Sequence, residues 1–337
     1  MARTEFGDIS PRTSAYAYGK MLEHAKPVLV LSLFCDSKEI PKNKQEVIKF
    51  RRPVPYEAAT TPLVEGVTPT AKKMAYEDVS VTLQQYGDLH ELTDKIEDLH
   101  EDPVLNDMVM LAGENAGRTV EAITWGIMRG GTSVYYANGA SAAAVNTKLT
   151  KGLQRKITRF LKNQKGKKIT KMLSGSVRIG TEPVEAAYVA IAHTDCEADI
   201  RDLAGFIPTA EYGTHTPLCA EEIGRCEDVR YVLSPDLDFY PDTGGTPGSS
   251  VESTTGSAAD VYPIIYLSQH AFGCTALKNT KGKGTNMAIK PTVINPGTVD
   301  KSDPLGQRGF VGWKTWYAGV RLNENWMARA MVAVSAL

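Results

Sequence analysis

The order of segments predicts a mixed α+β fold, and three features carry that reading. Strand-like runs recur without the regular alternation with helices that a parallel βαβ sheet requires. One long amphipathic helix, Pro103 to Arg129, interrupts them early. A Gly-spaced aromatic run from 303 to 327 holds Trp313, Trp316 and Trp326, three of the four tryptophans. Leaving these rings in water would forfeit several kcal/mol at ~25 cal/mol per Å². That run must therefore belong to a core or an interface.

Taken in order, Pro11 to Lys26 reads as a short amphipathic helix stopped by Pro27, and Pro41 to Lys44 separates it from the next segment. The first forty residues read as an arm. Strand-like runs at Glu46 to Arg51 and Ala75 to Gln85 flank a stretch with Pro53, Pro55, Pro62, Pro69 and Gly66. Such a stretch cannot be a central strand and has few apolar groups for a core of its own, so a long projecting hairpin is expected. Asp102-Pro103 is a helix start, with a capping carboxylate and a proline where no hydrogen bond is lost. Apolar residues at Val104, Met108, Leu111, Ala112, Ala116, Val120, Ile123 and Ile127 then step by three to four, and Gly130-Gly131 reads as a left-handed stop. At ~1.5 Å per residue this helix would run about 40 Å.

A second helix is expected from Thr150 to Asn163, with Gly166 after its end. Its outer side is basic. No acidic residue occurs from Ala122 to Thr181, and Lys148, Lys151, Arg155, Lys156, Arg159, Lys162, Lys165, Lys167, Lys168, Lys171 and Arg178 fill the later half. More strand-like runs lie at Glu185 to Ala192, Val229 to Leu233, Val261 to Leu267, Met287 to Ile294, Phe310 to Arg321 and Trp326 to Val334. Asp242 to Asp260, rich in Gly, Ser and Thr, reads as a mobile loop too polar for a core.

Composition narrows the function classes. With 337 residues, 42% hydrophobic and 23% charged, the chain can bury a substantial core, while a formal net charge of -1 marks neither a polyanion binder nor an acidic solvating protein. Five cysteines without short paired spacing suit reduced thiols. No secretory signal is visible, and the longest apolar run, Val28 to Phe34, is far below the roughly 20 residues that cross a bilayer. No membrane partner is expected.

Signatures of chemistry are sparse. Walker, HExxH, nucleophile-elbow and Rossmann patterns are absent. His215, Cys219 and Cys226, with His193 and Asp195, are the best metal candidates, but structural zinc sites bring ligands in close pairs and these cysteines lie seven apart. The carboxylates between His193 and Asp202 open a short helix, where they favour the dipole without a catalytic role. No cofactor is expected. Two readings remain beside a structural one: a nucleic-acid-binding protein using the basic segment 148-178, and a metal-dependent enzyme using His193, Asp195, His215 and Cys219.

Several segments, in this order, resemble the major capsid protein family of tailed bacteriophages, in the podovirus-type branch related to phage N-four. They are Pro62-Leu63-Val64-Glu65-Gly66-Val67-Thr68-Pro69, Gln85-Tyr86-Gly87-Asp88, Leu92-Thr93-Asp94, Asp102-Pro103-Val104-Leu105, Gly130-Gly131-Thr132, Tyr136-Ala137-Asn138-Gly139, Asp202-Leu203, Gly205-Phe206-Ile207-Pro208, Glu222-Ile223-Gly224-Arg225 and the 303 to 327 run. The resemblance implies the Hong Kong-type capsid fold. Residues 1-44 would be an N-terminal arm and 45-92 the extended loop. Residues 93-147 and 286-337 would form a peripheral domain with its spine helix at 103-129, and 148-285 an axial domain. It further implies a non-enzymatic virion protein, assembled in the host bacterial cytoplasm into pentamers and hexamers of an icosahedral head around double-stranded DNA. Portal, scaffold and decoration proteins would be its other partners. Tyr56, Pro62, Glu65, Pro69, Lys72 and Lys73 would then make the contact between subunits, and Lys162, Lys165, Lys167 and Lys168 would face DNA.

Overall fold

A computed structural model describes residues 29–40, 46–95, 104–173, 181–213, 216–248, 250–277, 290–299 and 303–337. The expected helix at Pro11 to Lys26, most of the arm, the Asp102-Pro103 cap, Arg178 and His215 lie outside them. Along the chain come β1 (Asp36–Ile40), β2 (Val47–Pro53), β3 (Tyr76–Thr82), β4 (Gln84–Thr93), α1 (Val104–Arg129) and β5 (Val134–Tyr136). Next are α2 (Lys151–Asn163), β6 (Ile169–Leu173), β7 (Thr181–His193), α3 (Glu197–Arg201), β8 (Phe206–Pro208), β9 (Glu222–Cys226) and β10 (Val229–Ser234). The chain closes with β11 (Tyr262–Leu267), β12 (Phe272–Leu277), β13 (Lys290–Ile294), β14 (Arg308–Arg321) and β15 (Met327–Val332).

These strands make two sheets and a ribbon. A five-stranded sheet runs β1-β12-β14-β13, with β4 also along β14; an eight-stranded sheet runs β5-β15-β11-β7-β10-β9-β8, with β6 on β7; β2 and β3 pair alone. Fourteen residues long, β14 is the frame of the first sheet. It pairs antiparallel with β4 from Arg308↔Thr93 to Tyr317↔Gln84, and with both β12 and β13. The aromatic run therefore divides. Trp313 and Trp316 lie in the five-stranded sheet, whereas β15 crosses to the other sheet, between β5 and β11.

Helix α1 buries Val109, Ala112, Ala116, Val120, Thr124, Trp125 and Met128, a stripe at helical spacing. Its first half packs on Val311 and Trp313 of β14, and the Trp313 indole donates to Asn115 at 2.9 Å. Its second half joins the larger core with Ile191, Val232, Ile265, Leu267 and Phe272. The C-terminal stop differs from expectation, since neither Gly130 nor Gly131 takes a positive φ. Instead Arg321, reaching from β14, donates to the Ile127 carbonyl at 2.5 Å and ends the helix from outside. At Gly130 a Cβ would stand 2.9 Å from that guanidinium, so the small residue makes room for the cap.

Helix α2 is capped by Thr150, whose hydroxyl accepts from the Leu153 amide at 3.3 Å. It buries Leu153, Ile157 and Leu161 against Tyr188, Tyr231, Tyr262 and Tyr266 of the eight-stranded sheet. Lys165 takes the left-handed position after the helix, at φ 57°, and Gly166 closes on the Leu161 carbonyl at 2.9 Å.

The segment 242–260 is built, not loose as its composition predicts. Buried Asp260 accepts from the Asp242 amide at 2.7 Å and from the Thr254 hydroxyl at 2.9 Å. Asp242 in turn accepts from the Ser253 hydroxyl and the Thr255 amide. Gly244 packs where a Cβ would meet the Val145 carbonyl at 2.3 Å. Polar composition signals a loop, yet its carboxylates satisfy its own backbone.

Candidate assembly surfaces

The ribbon β2–β3 leaves the body as a two-stranded hairpin. Its root is fixed where Phe50 and Leu83 are buried, Leu83 against Ala318 with Ile48, Val81 and Trp316 around it. Gly273 lies under the Phe50 ring, which would stand 3.0 Å from a Cβ at that position. Further out, directly opposed charges hold the strands together. Arg51 grips Asp78 with two bonds, at 2.7 and 2.8 Å, and Arg52 meets Glu77 at 2.8 Å. The Arg51 guanidinium keeps the Asp78 carboxyl below its ordinary range. The ladder adds one last bond, Val54 amide to Ala75 carbonyl at 2.9 Å. Two-strand pairing spans Val47 to Thr82, shorter than the expected loop 45-92, because Gln84–Thr93 joins β14 in the sheet.

Beyond Val54 and Ala75 the tip is irregular and bare. It turns at Val64-Glu65-Gly66-Val67, closed by the Val67 amide on the Val64 carbonyl at 3.1 Å, with Gly66 at φ +75°, where a side chain would be strained. Tyr56, Pro62, Glu65, Pro69, Lys72 and Lys73 are all exposed on it. Missed among the candidates were the apolar groups. Leu63 is 78% exposed and Val64 67% exposed, with Val67 alongside. Of the fourteen large hydrophobics exposed among the described residues, eight fall between Val47 and Tyr76. An apolar patch concentrated on one projection marks a surface awaiting a partner. A second uncovered patch lies on the side of the five-stranded sheet away from α1. There Leu89 and Thr292 line an open groove of about 410 Å³, beside exposed Ile294.

The basic face is less free than its sequence suggests. Asp199 and Asp202 answer Lys148, each at 3.4 Å, and the other acids come from the turn between β9 and β10. Asp228 takes Lys162 at 2.6 Å and Lys168 at 2.8 Å, while Glu227 takes Arg155 and, at 3.4 Å, Lys151. Those cations hold both carboxyls below their ordinary range. Lys165 and Lys167 are exposed and have no ion-pair partner among the described residues. Of the four lysines expected to face DNA, the fold thus separates two paired from two solvent-facing.

The remaining candidates take structural places. Asp195 accepts the Tyr262 hydroxyl at 2.9 Å, and His193 accepts the Asp195 amide at 3.2 Å. Asp199 does not cap its helix: nearly buried, it accepts the Ser335 amide at 2.9 Å and hydroxyl at 2.6 Å, tying the last residues to α3. All five cysteines are unbridged. Burial raises the Cys196 thiol and pushes Cys219 up to about 12, far from a reactive thiolate. Among the described residues no three His, Cys, Asp or Glu side chains converge as a metal site, and no helix is long and apolar enough to cross a membrane.

The described fold is thus a long helix on a five-stranded sheet, a second mixed sheet and a bare hairpin. A family profile described as phage capsid protein matches residues 76–331, and the chain belongs to that family. It is 24% identical over 260 residues to the major capsid protein of Pseudomonas phage KPP21, an alignment covering 73% of this chain and 65% of that one. Of solved structures, the capsid of Ralstonia phage GP4 superposes with a TM-score of 0.63 at 12% identity, over 90% of this chain and 88% of that one. The cyanophage Pam1 capsid gives 0.57 at 12% identity, over 93% of each. The α+β architecture is thus the phage capsid fold of Hong Kong type.

Proposed function

We propose that this chain is the major shell subunit of a phage head, a structural protein without catalytic duty that assembles with copies of itself into pentamers and hexamers around double-stranded DNA. In this reading the arm falls within 1-44, the hairpin within 45-92 lays its tip across a neighbour, 93-147 with 286-337 contribute the peripheral domain, and 148-285 the axial domain. Portal, scaffold and decoration proteins complete the head in the host cytoplasm. The observation that carries the reading is the hairpin of a phage-capsid family member with its apolar side chains in water. Burying Leu63, Val64 and Val67 against a neighbour would each contribute about 1.5–3 kcal/mol, and a closed shell repeats that gain in every copy. Tyr56, Pro62, Glu65, Pro69, Lys72 and Lys73 flank the same contact.

Co-expression of the full chain with the head genes of its phage, followed by sedimentation and electron microscopy, tests this. Leu63→Asp with Val67→Asp should abolish particles while the purified subunit keeps its circular dichroism and melting midpoint. Particles of normal yield from that variant would refute the hairpin contact. For the basic segment we propose that Lys165 and Lys167 meet packaged DNA directly, with Lys162 and Lys168 contributing less because Asp228 already pairs them. Genome retention with an unchanged salt response after neutralising Lys165 and Lys167 would remove that role.

A further inference from the structure

Glu121 is the most unusual ionisable group among the described residues. It sits on the buried stripe of α1, only 1% exposed, and takes part in no ion pair with them. Its Oε1 accepts the Leu31 amide at 2.8 Å, and its Oε2 has no hydrogen-bond partner among the described residues. The segment Leu29 to Phe34 covers it, with a short 3₁₀ turn at 31–34 whose Leu31 and Phe34 pack, together with Leu29 and Val30, in one core with Val120, Trp125 and Leu237. That segment leads directly into β1, the edge strand that lies parallel along β12.

We propose that Glu121 is a proton-operated latch: docking of residues 29–34 on α1 takes up a proton at this carboxyl, so the segment and the edge strand behind it are held in acid and loosened as pH rises. Among the described residues the surroundings contain nothing that would hold the charged form except backbone amides. Near it on its own helix is Arg118, but that guanidinium turns to Asp236 at 3.5 Å. Asp236, after β10, opposes a second negative charge at Glu121. The covering segment offers no cation, β6 contributes Ile169 and Met172, and β12 and β14 contribute Cys274 and Tyr317. Cys35 and Tyr317 are raised by their own contacts and burial and stay neutral in this range. Burial outweighs the amides of Leu31, Val30 and Ser32 and pushes the carboxyl up to about 8. Once the segment lifts, water returns and the acid relaxes toward its ordinary value of about 4.3. The docked state therefore binds the proton more tightly. Docking is strongest below the ordinary value, weakens as pH climbs between the two, and levels off above about 8.

Amide hydrogen exchange of Leu31 in the full chain, corrected for the intrinsic rate, reads the docking constant. Its protection should fall by roughly several hundredfold from about pH 5 to about pH 8.5. Glu121→Gln keeps the Oε1 acceptor but cannot ionise, so its protection should stay flat. A parallel fall in Glu121→Gln, or flat protection in the unaltered chain, would overturn the latch. A carbon-13 titration of the Glu121 carboxyl in the unaltered chain supplies a second reading independent of any variant. A midpoint of about 8 supports the latch, and one in the ordinary carboxylate range overturns it. Neither measurement involves shell formation, so failure here is distinct from failure of the capsid reading.

Discussion

Two irregular segments of similar length, the hairpin tip at 54–75 and the loop at 242–260, share a turn-rich composition and have opposite physics. The loop turns its acids inward: Asp242 and Asp260 accept from amides and hydroxyls of the same loop, and Gly244 lies against the Val145 carbonyl. Its order is complete within one molecule. The tip has one closing turn bond and sends Tyr56, Leu63, Val64 and Val67 into water. None of the described residues buries them. Proline and glycine content therefore says where a chain leaves regular structure, while the bonding capacity of the remaining side chains says whether the segment can satisfy itself.

Replacing Val54–Ala75 with a two-residue Asn-Gly turn is the largest available break in this comparison. The turn suits the antiparallel ladder of β2 and β3, so the subunit should fold with its unfolding free energy changed by less than about 1 kcal/mol. Assembly should vanish altogether, as read by sedimentation velocity. An assembled product would mean that neighbours do not hold the tip.

Asp260→Ala probes the self-contained loop. The Asp242 amide and the Thr254 hydroxyl would each lose a buried acceptor, at a cost of about 2–4 kcal/mol to the isolated subunit. Chemical denaturation should show the midpoint falling with little change in slope. A neutral result would mean that water replaces the carboxylate and that the loop is less self-contained than its bonds indicate.

The same distinction explains which features the sequence alone reveals. Helix α1 and strand β14 are legible because their apolar residues repeat at one period over a long stretch, and the bare hairpin tip because its prolines and Gly66 do not suit a ladder. Strand β12 is not, since Phe272-Gly-Cys-Thr-Ala-Leu has weak alternation and gains its place from β14 and β1 on either side. That β14 and β15, neighbours in the chain, join different sheets is hidden too, as nothing in a strand pattern names the sheet it joins. The acids that answer the basic helix escape notice for a related reason. Glu227 lies 72 residues from Arg155, and Asp228 lies 66 from Lys162 and 60 from Lys168. Glu121 does leave a signal. It falls on the stripe of Gly117, Thr124, Trp125 and Met128, and a lone acid at helical spacing within a buried face asks what neutralises it.

The smallest effect, and the one that separates the hairpin's own stiffness from the contact it makes, is expected for Arg51→Ala. This removes one cross-strand rib, Arg51 with Asp78, on a projection that water surrounds. The body's unfolding midpoint should not move, because neither side chain belongs to the core. Amide exchange in β2 and β3 should quicken, most at low salt where surface pairs are least screened. The pH dependence has a fixed sign. Arg51 depresses the Asp78 carboxyl in the folded chain, so the rib is fully present above the ordinary aspartate range and is lost as pH falls through the lowered value. Wild-type and variant hairpins should therefore exchange alike in strong acid and diverge toward neutrality. If they differ equally at every pH, the rib acts by packing of the Arg51 stem over the Tyr76 ring, 5.4 Å from the guanidinium, and not by charge.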